Sequence, residues 1–123
     1  MNVVDSCGWL EYFADGPNAS FFAPALEDVE HLLVPSVCVF EVYKKVNAER
    51  GMDAALQAVA LMRQGAVVDL DFETAIAAAT WSREKSLPLA DSIVYASARS
   101  RNAVVWTQDE HFAGLEHVRY RRK

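Results

Sequence analysis

The chain has little cysteine, no long apolar run and no excess of positive charge, and each absence removes a class of protein. Its two cysteines, Cys7 and Cys38, form no Cys-x-x-Cys pair and have no histidines at zinc spacing. A disulfide scaffold is excluded, and both are expected to be reduced core thiols of a cytosolic protein. No stretch approaches the roughly 18 consecutive apolar residues of a membrane span. The segment from Met1 to Asp5 lacks the charged and apolar regions of a signal peptide, so a cytoplasmic protein without a membrane role is expected. Twelve Lys and Arg against 17 Asp and Glu give a net charge of −5, which argues against holding nucleic acid by bulk electrostatics. It leaves room for an acidic metal site, because a bound cation neutralises such charge locally.

What is present is one domain's worth of chain. The 123 residues, 52% of them hydrophobic, contain no repeat, linker or low-complexity stretch. The basic residues cluster at Lys44-Lys45, at Arg99 and Arg101, and in a short tail over 119–123 that reads as solvated.

Short apolar runs predict strands at Val3-Val4, Leu32–Val34, 66–70, Ala103–Trp106 and Val118–Tyr120. Helical spacing predicts helices after Asp5, around Ser20 to Glu30 (with Pro24 limiting its start), from Ser36 to Gly51, from Asp53 to Gln64, from Phe72 to Lys85, and from Leu89 to about Arg101. Strands alternate with helices and no hairpin turn joins any two strands. The fold class is therefore α/β, a parallel sheet with helices on both faces.

That topology has a consequence for four acids. Asp5 and Asp109 lie just beyond the carboxyl ends of strands, where open α/β sheets place ligands. Glu41 sits early in a helix that leaves a strand's carboxyl edge. Asp91 is in the first turn of a helix that must run antiparallel to the strand at Ala103, over roughly 20 Å. All four are expected on one rim of one sheet. Taken singly, Asp5 and Asp109 read as caps, Asp91 as a helix-dipole partner, and Glu41 as a partner of Lys45. Taken together, without a Lys or Arg at the matching positions, they fit a held metal ion. Oxygen ligands favour Mg²⁺ or Mn²⁺ over zinc, and such ions suit phosphoryl chemistry. Ser6 and Thr107 add hydroxyls beside Asp5 and Asp109, whereas His31, His111 and His117 show no ligand spacing and are expected to be non-catalytic.

The sequence resembles the PIN-domain ribonucleases, and within them the VapC-type toxins. The matching pieces are Val4-Asp5-Ser6 with Gly8-Trp9 and Tyr12-Phe13, then Pro35-Ser36 leading to Phe40-Glu41-Val42. Leu87-Pro88-Leu89-Ala90-Asp91-Ser92-Ile93 and Trp106-Thr107-Gln108-Asp109 with Phe112 complete them. The resemblance implies a single PIN-like domain over 1–123 with five parallel strands in the order 3-2-1-4-5. It also implies Mg²⁺- or Mn²⁺-dependent endonuclease activity on RNA, with Asp5, Glu41, Asp91 and Asp109 as catalytic and metal-binding residues and Ser6 and Thr107 supporting them. A homodimer inhibited by a cognate antitoxin is implied as well. Many relatives carry a further acid where this chain has His111, which leaves room for one firmly held ion.

Lys44, Lys45, Arg99 and Arg101 are candidate RNA contacts. The aromatic segment of Trp9, Tyr12, Phe13, Phe21 and Phe22 is a candidate antitoxin groove, with Trp9 and Phe13 better read as core and Phe21-Phe22 as partner surface. The alternatives are a PIN-like domain that binds RNA or protein without cutting, and a non-toxin RNA-processing nuclease. A phospho-accepting receiver domain would need an acidic pair after the first strand and a late lysine, and both are missing.

Overall fold

A computed structural model describes all residues, 1–123. In chain order the elements are β1 (Asn2–Val4), α1 (Ser6–Phe13), α2 (Ala19–Glu27), β2 (Leu32–Pro35), α3 (Ser36–Arg50) and α4 (Met52–Met62). There follow β3 (Ala66–Val68), α5 (Phe72–Lys85), α6 (Leu89–Arg99), β4 (Val104–Thr107) and β5 (Val118–Tyr120). Two 3₁₀ turns, Val29–His31 and Glu110–Phe112, precede β2 and follow β4. The five strands form one sheet in the order β3-β2-β1-β4-β5, every pair parallel, as the resemblance implies.

Both faces of the sheet are covered. Successive side chains on a strand point to opposite faces, and Val3 and Val4 on the central strand are both fully buried. Leu32, Leu33 and Val34 on β2 and Val105, Trp106 and Thr107 on β4 are buried as well. The edge strands β3 and β5 keep exposed positions. Gly8 allows α1 to approach closely, since a Cβ there would sit 2.6 Å from Val4 Cγ1 and 2.7 Å from the Phe22 ring.

Parallel pairing puts all five carboxyl ends on one rim, with Val4 level with Trp106, Pro35 with Val68, and Thr107 with Tyr120. Most boundaries match the apolar pattern within two residues. The largest departure is α2, which starts at Ala19 and carries Pro24 in its interior. An interior proline removes one helical hydrogen bond, but Phe22, Ala25 and Leu26 on this helix are buried, and that packing overrides the local preference. The helix stops at Glu27, and Val29–His31 forms a separate 3₁₀ turn instead of prolonging it. No helix is long and apolar enough to cross a membrane.

Candidate functional site

Asp5 is fixed by the strand it follows and the helix it starts. Its backbone N–H extends the β1–β4 ladder by donating to the Trp106 carbonyl at 3.0 Å. Its side chain caps α1 by accepting from the Ser6 backbone N–H at 2.8 Å. The other carboxylate oxygen accepts from the Thr107 hydroxyl at 3.0 Å and from the Cys7 thiol at 3.4 Å. The Thr107 hydroxyl in turn accepts from the Asp109 backbone N–H at 2.9 Å. A carboxylate oxygen can only accept, so the Thr107 hydroxyl proton points at Asp5. One hydroxyl thus ties the ends of β1 and β4 together and orients the carboxylate between them.

The other acids arrive from three further elements. Glu41 is half-buried on the second turn of α3, directly after β2, with Ser6 beside it. Asp91 is the third residue of α6, and Asp109 caps the Glu110–Phe112 turn by accepting from the His111 backbone N–H at 2.9 Å. Phe112, fully buried, pins that turn to the core.

The four carboxylates feel one another. Burial pushes the Asp5 carboxyl up from 3.8 to about 6, and the charge of Asp91 adds to this, against the hydrogen bonds from Cys7, Thr107 and Ser6. Glu41 is raised by burial first and then by Asp5 and Asp109, with Ser6 opposing. Asp91 is raised by burial and then by Asp109, with Glu41 adding and His111 opposing. No lysine or arginine is among the leading causes of these shifts. Lys45, the candidate partner of Glu41, pairs instead with Glu49 at 3.0 Å.

The basic side chain at these acids is a histidine. His111 Nδ1 lies 3.0 Å from Asp91 Oδ2 and 3.1 Å from Asp109 Oδ1. The two carboxylates, Asp109 foremost, raise its pKa. His111, expected to be non-catalytic because the sequence gives it no ligand spacing, bridges two of the four acids. Its ring also has the spacing of a metal ligand. Adjacent ligands around an octahedral ion bound at about 2.1 Å stand about 3 Å apart, and Asp91, Asp109 and His111 offer ligand atoms within 4.8 Å of one another. The donor set is mostly carboxylate oxygen with one imidazole, a set that could hold a divalent metal ion.

Cys7 is the second residue the sequence pattern did not single out. It is part-exposed beside Asp5 and Thr107 instead of being buried in the core. Burial and then the Asp5 charge push its thiol up to about 12, so it is a neutral hydrogen-bond donor and not a thiolate ligand. Cys38 is a buried free thiol, as expected.

The candidate RNA contacts divide. Lys44 and Lys45 are exposed on α3, one turn beyond Glu41. Arg99 and Arg101 do not come to the rim. Antiparallel packing brings the start of α6 to the carboxyl edge and takes its end away, so these arginines lie at the opposite end of the helix from Asp91. Arg99 is engaged structurally, donating to the Tyr95 hydroxyl at 3.0 Å and lying over the Trp81 ring at 5.4 Å. Arg101 bonds to the Ser97 carbonyl.

The aromatic segment divides too. Trp9 and Phe22 belong to the core. Phe21 packs edge-to-face on Phe22 with ring centroids 5.0 Å apart, rests on Trp106 at 5.3 Å and lies under Arg121 at 4.8 Å, so the chain covers it itself. A groove of ≈ 380 Å³ runs between α1 and the α3–α4 pair, lined by Leu10, Phe13, Val46, Ala58 and Leu61 and edged by Arg50.

A family model for the PIN domain matches residues 3–118 of this chain. No curated protein matches it significantly in sequence. Among solved structures, a toxin–antitoxin complex from Klebsiella pneumoniae superposes with a TM-score of 0.82 at 18% identity, covering 97% of this chain and 96% of that one. VapBC-1 from nontypeable Haemophilus influenzae gives 0.75 at 13% identity, covering 98% and 96%. The sarcin–ricin loop cleaving toxin VapC20 from Mycobacterium tuberculosis gives 0.72 at 18%, covering 97% and 99%. At such identities the likeness is one of fold.

Proposed function

The chain belongs to the PIN domain family, and on that premise we propose that it is a metal-dependent endoribonuclease, the toxin of a toxin–antitoxin pair. The observation that carries this reading is the convergence of Asp5, Glu41, Asp91 and Asp109 on one rim with no lysine or arginine among them. Asp5, Asp91 and Asp109 would hold the ion, with Glu41 and His111 completing the set. A divalent ion so held supplies an acidified water and a polarised phosphoryl oxygen.

The chain's own groups do the positioning. Thr107 and Cys7 donate to one oxygen of Asp5 and Ser6 to the other, which fixes the carboxylate plane. Such supporting hydrogen bonds keep the ligand oriented and favour its charged form. Phe112 and the Asp109 cap hold Asp109 and His111 as one unit.

The partners follow the same reading. Solved relatives described as toxin–antitoxin or VapBC complexes support an antitoxin as partner. The groove along Leu10, Phe13 and Leu61 is the surface for its apolar segment. Phe72, Ile76 and Leu89 leave apolar side chains exposed on α5 and α6, a surface suited to a homodimer.

The test is incubation with total cellular RNA and Mg²⁺ or Mn²⁺, followed by mapping of the cut ends. Discrete cuts that vanish in excess chelator are expected. No cutting above the chelated control, with the antitoxin absent, would refute the nuclease.

A further inference from the structure

We infer that the C-terminal segment from Tyr120 to Lys123 forms, with Gln108 and His111, a cleft that holds the RNA phosphates flanking the cut. This rests on the nuclease reading and extends it to the way an acidic protein keeps a polyanion at an acidic site. The difficulty is plain from charge. The chain carries −5 overall, and its rim gathers four carboxylates. RNA must bring its own negative backbone to that rim, so cations have to stand beside it.

Parallel pairing decides where they stand. Tyr120 is level with Thr107, so the residues after it emerge on the same rim as Asp5 and Asp109. They are not a loose tail. The Arg121 backbone N–H donates to the Thr107 carbonyl at 3.0 Å and continues the ladder. The Asn18 amide donates to the Arg122 carbonyl at 3.1 Å and to Gln108 Oε1 at 3.0 Å, clamping both sides of the cleft to one side chain.

The two-residue period of a strand then sorts the charges. Arg119 and Arg121 point one way, onto the rings of Trp106 at 4.9 Å and Phe21 at 4.8 Å. Tyr120 and Arg122 point the other way and, with Lys123, line a cleft of ≈ 430 Å³ whose opposite wall is Gln108 to His111. Asp109 and His111 belong to both this cleft and the acidic site, so the two are continuous. Neither Arg122 nor Lys123 is in an ion pair with a carboxylate of the chain.

The chemistry of this wall suits a phosphodiester backbone. A guanidinium takes phosphate bidentately and an ammonium adds a point charge. The part-buried Tyr120 ring offers a face for a base. The acid at Glu110 stands on the same wall as His111, so a strand crossing the cleft is drawn to its Arg122 side.

The test is the double variant Arg122→Ala/Lys123→Ala, both residues being exposed. With two fewer phosphates neutralised on single-stranded RNA, the slope of log K against log salt should fall by about 1.4. This is read by anisotropy of a labelled single-stranded RNA, with the change placed in an Asp5→Asn background to prevent cutting. In the otherwise wild-type chain KM should rise about 10-fold with kcat within about 2-fold, from the same two cations, and the melting temperature should not change. Unchanged KM and salt slope would overturn the inference, as would loss of kcat at constant KM. Weakened antitoxin binding with unchanged RNA binding would assign the surface to a protein and equally overturn it. If wild type cuts no RNA but the double variant loses the salt slope, the nuclease reading fails while the RNA cleft stands.

Discussion

Asp5→Asn cuts RNA at least about 10³-fold more slowly than wild type, the scale on which a group that stabilises transition-state charge is lost. The change is nearly isosteric. Asparagine caps a helix as well as aspartate does, so the Ser6 N–H keeps its acceptor and α1 keeps its start. What is lost is charge and ligand capacity at the oxygen that Thr107 and Cys7 orient. An amide placed there also presents N–H in place of an acceptor. Single-turnover cleavage of a mapped RNA target, with circular dichroism to verify the fold, measures the effect. A variant that folds and still cuts within about 10-fold of wild type would remove Asp5 from the mechanism, since that is the scale of a merely supporting group.

The metal-free protein becomes more heat-resistant as the pH falls from 7.5 to 5. The folded state holds the Asp5 carboxyl at about 6 against 3.8 in an open chain, chiefly by burial. Between those two values the folded protein binds a proton that the unfolded chain does not, so stability rises as pH falls through about 6 and is complete below 3.8. Each pH unit inside that window is worth about 1.4 kcal/mol, which for a domain of this size is about 4 °C. Glu41 and Asp91 are raised as well and act in the same direction. His111, raised by its carboxylate neighbours, also stabilises when protonated, and that contribution is lost as pH rises through its folded value.

Asp71 is lowered by its Thr74 hydrogen bonds and acts oppositely, but only as pH falls below the ordinary carboxylate range. Saturating Mn²⁺ reverses the trend, because carboxylate ligands bind metal only when deprotonated. Calorimetric melting of metal-free wild type and Asp5→Asn at several pH values tests this. The variant should show a weaker pH dependence and a higher melting temperature at pH 7.5. A wild type that loses stability steadily from pH 7.5 to 5 without metal would contradict the unneutralised cluster.

How much of this was legible from residues alone depended on the kind of information each feature needs. Asp5, Glu41, Asp91 and Asp109 could be placed together because topology suffices: parallel strands share a rim, and a helix preceding a strand starts beside that strand's end. The same rule, carried to the end of α6, removes Arg99 and Arg101 from that rim. A helix carries charge along its axis, so residues that follow Asp91 in sequence end up a helix length from it.

His111 was hidden for a different reason. Ligand spacing rules describe residues on one element, whereas His111 meets Asp91 across twenty residues of chain. Its place two residues after Asp109 was the available signal. Cys7 carried only the weak hint of lying in the first turn of the helix that Asp5 caps. Pro24 argued locally against the early start of α2, and burial of Phe22 overrode it. The basic end of the chain read as solvent-facing because period-two sorting has meaning only once β5 is known to pair with β4.

Central to the proposed chemistry is a metal ion held by opposed carboxylates, and direct titration of Mn²⁺ into the metal-free protein, followed by the free-ion resonance signal at pH 7.5, tests it most plainly. Wild type should take up Mn²⁺ at a saturable site, with affinity at least about 10-fold weaker in Asp5→Asn, at or beyond the lower end of what removal of a mere supporting group causes. Equal Mn²⁺ affinity in wild type and Asp5→Asn, or no uptake by a wild type that still cuts RNA, would contradict it.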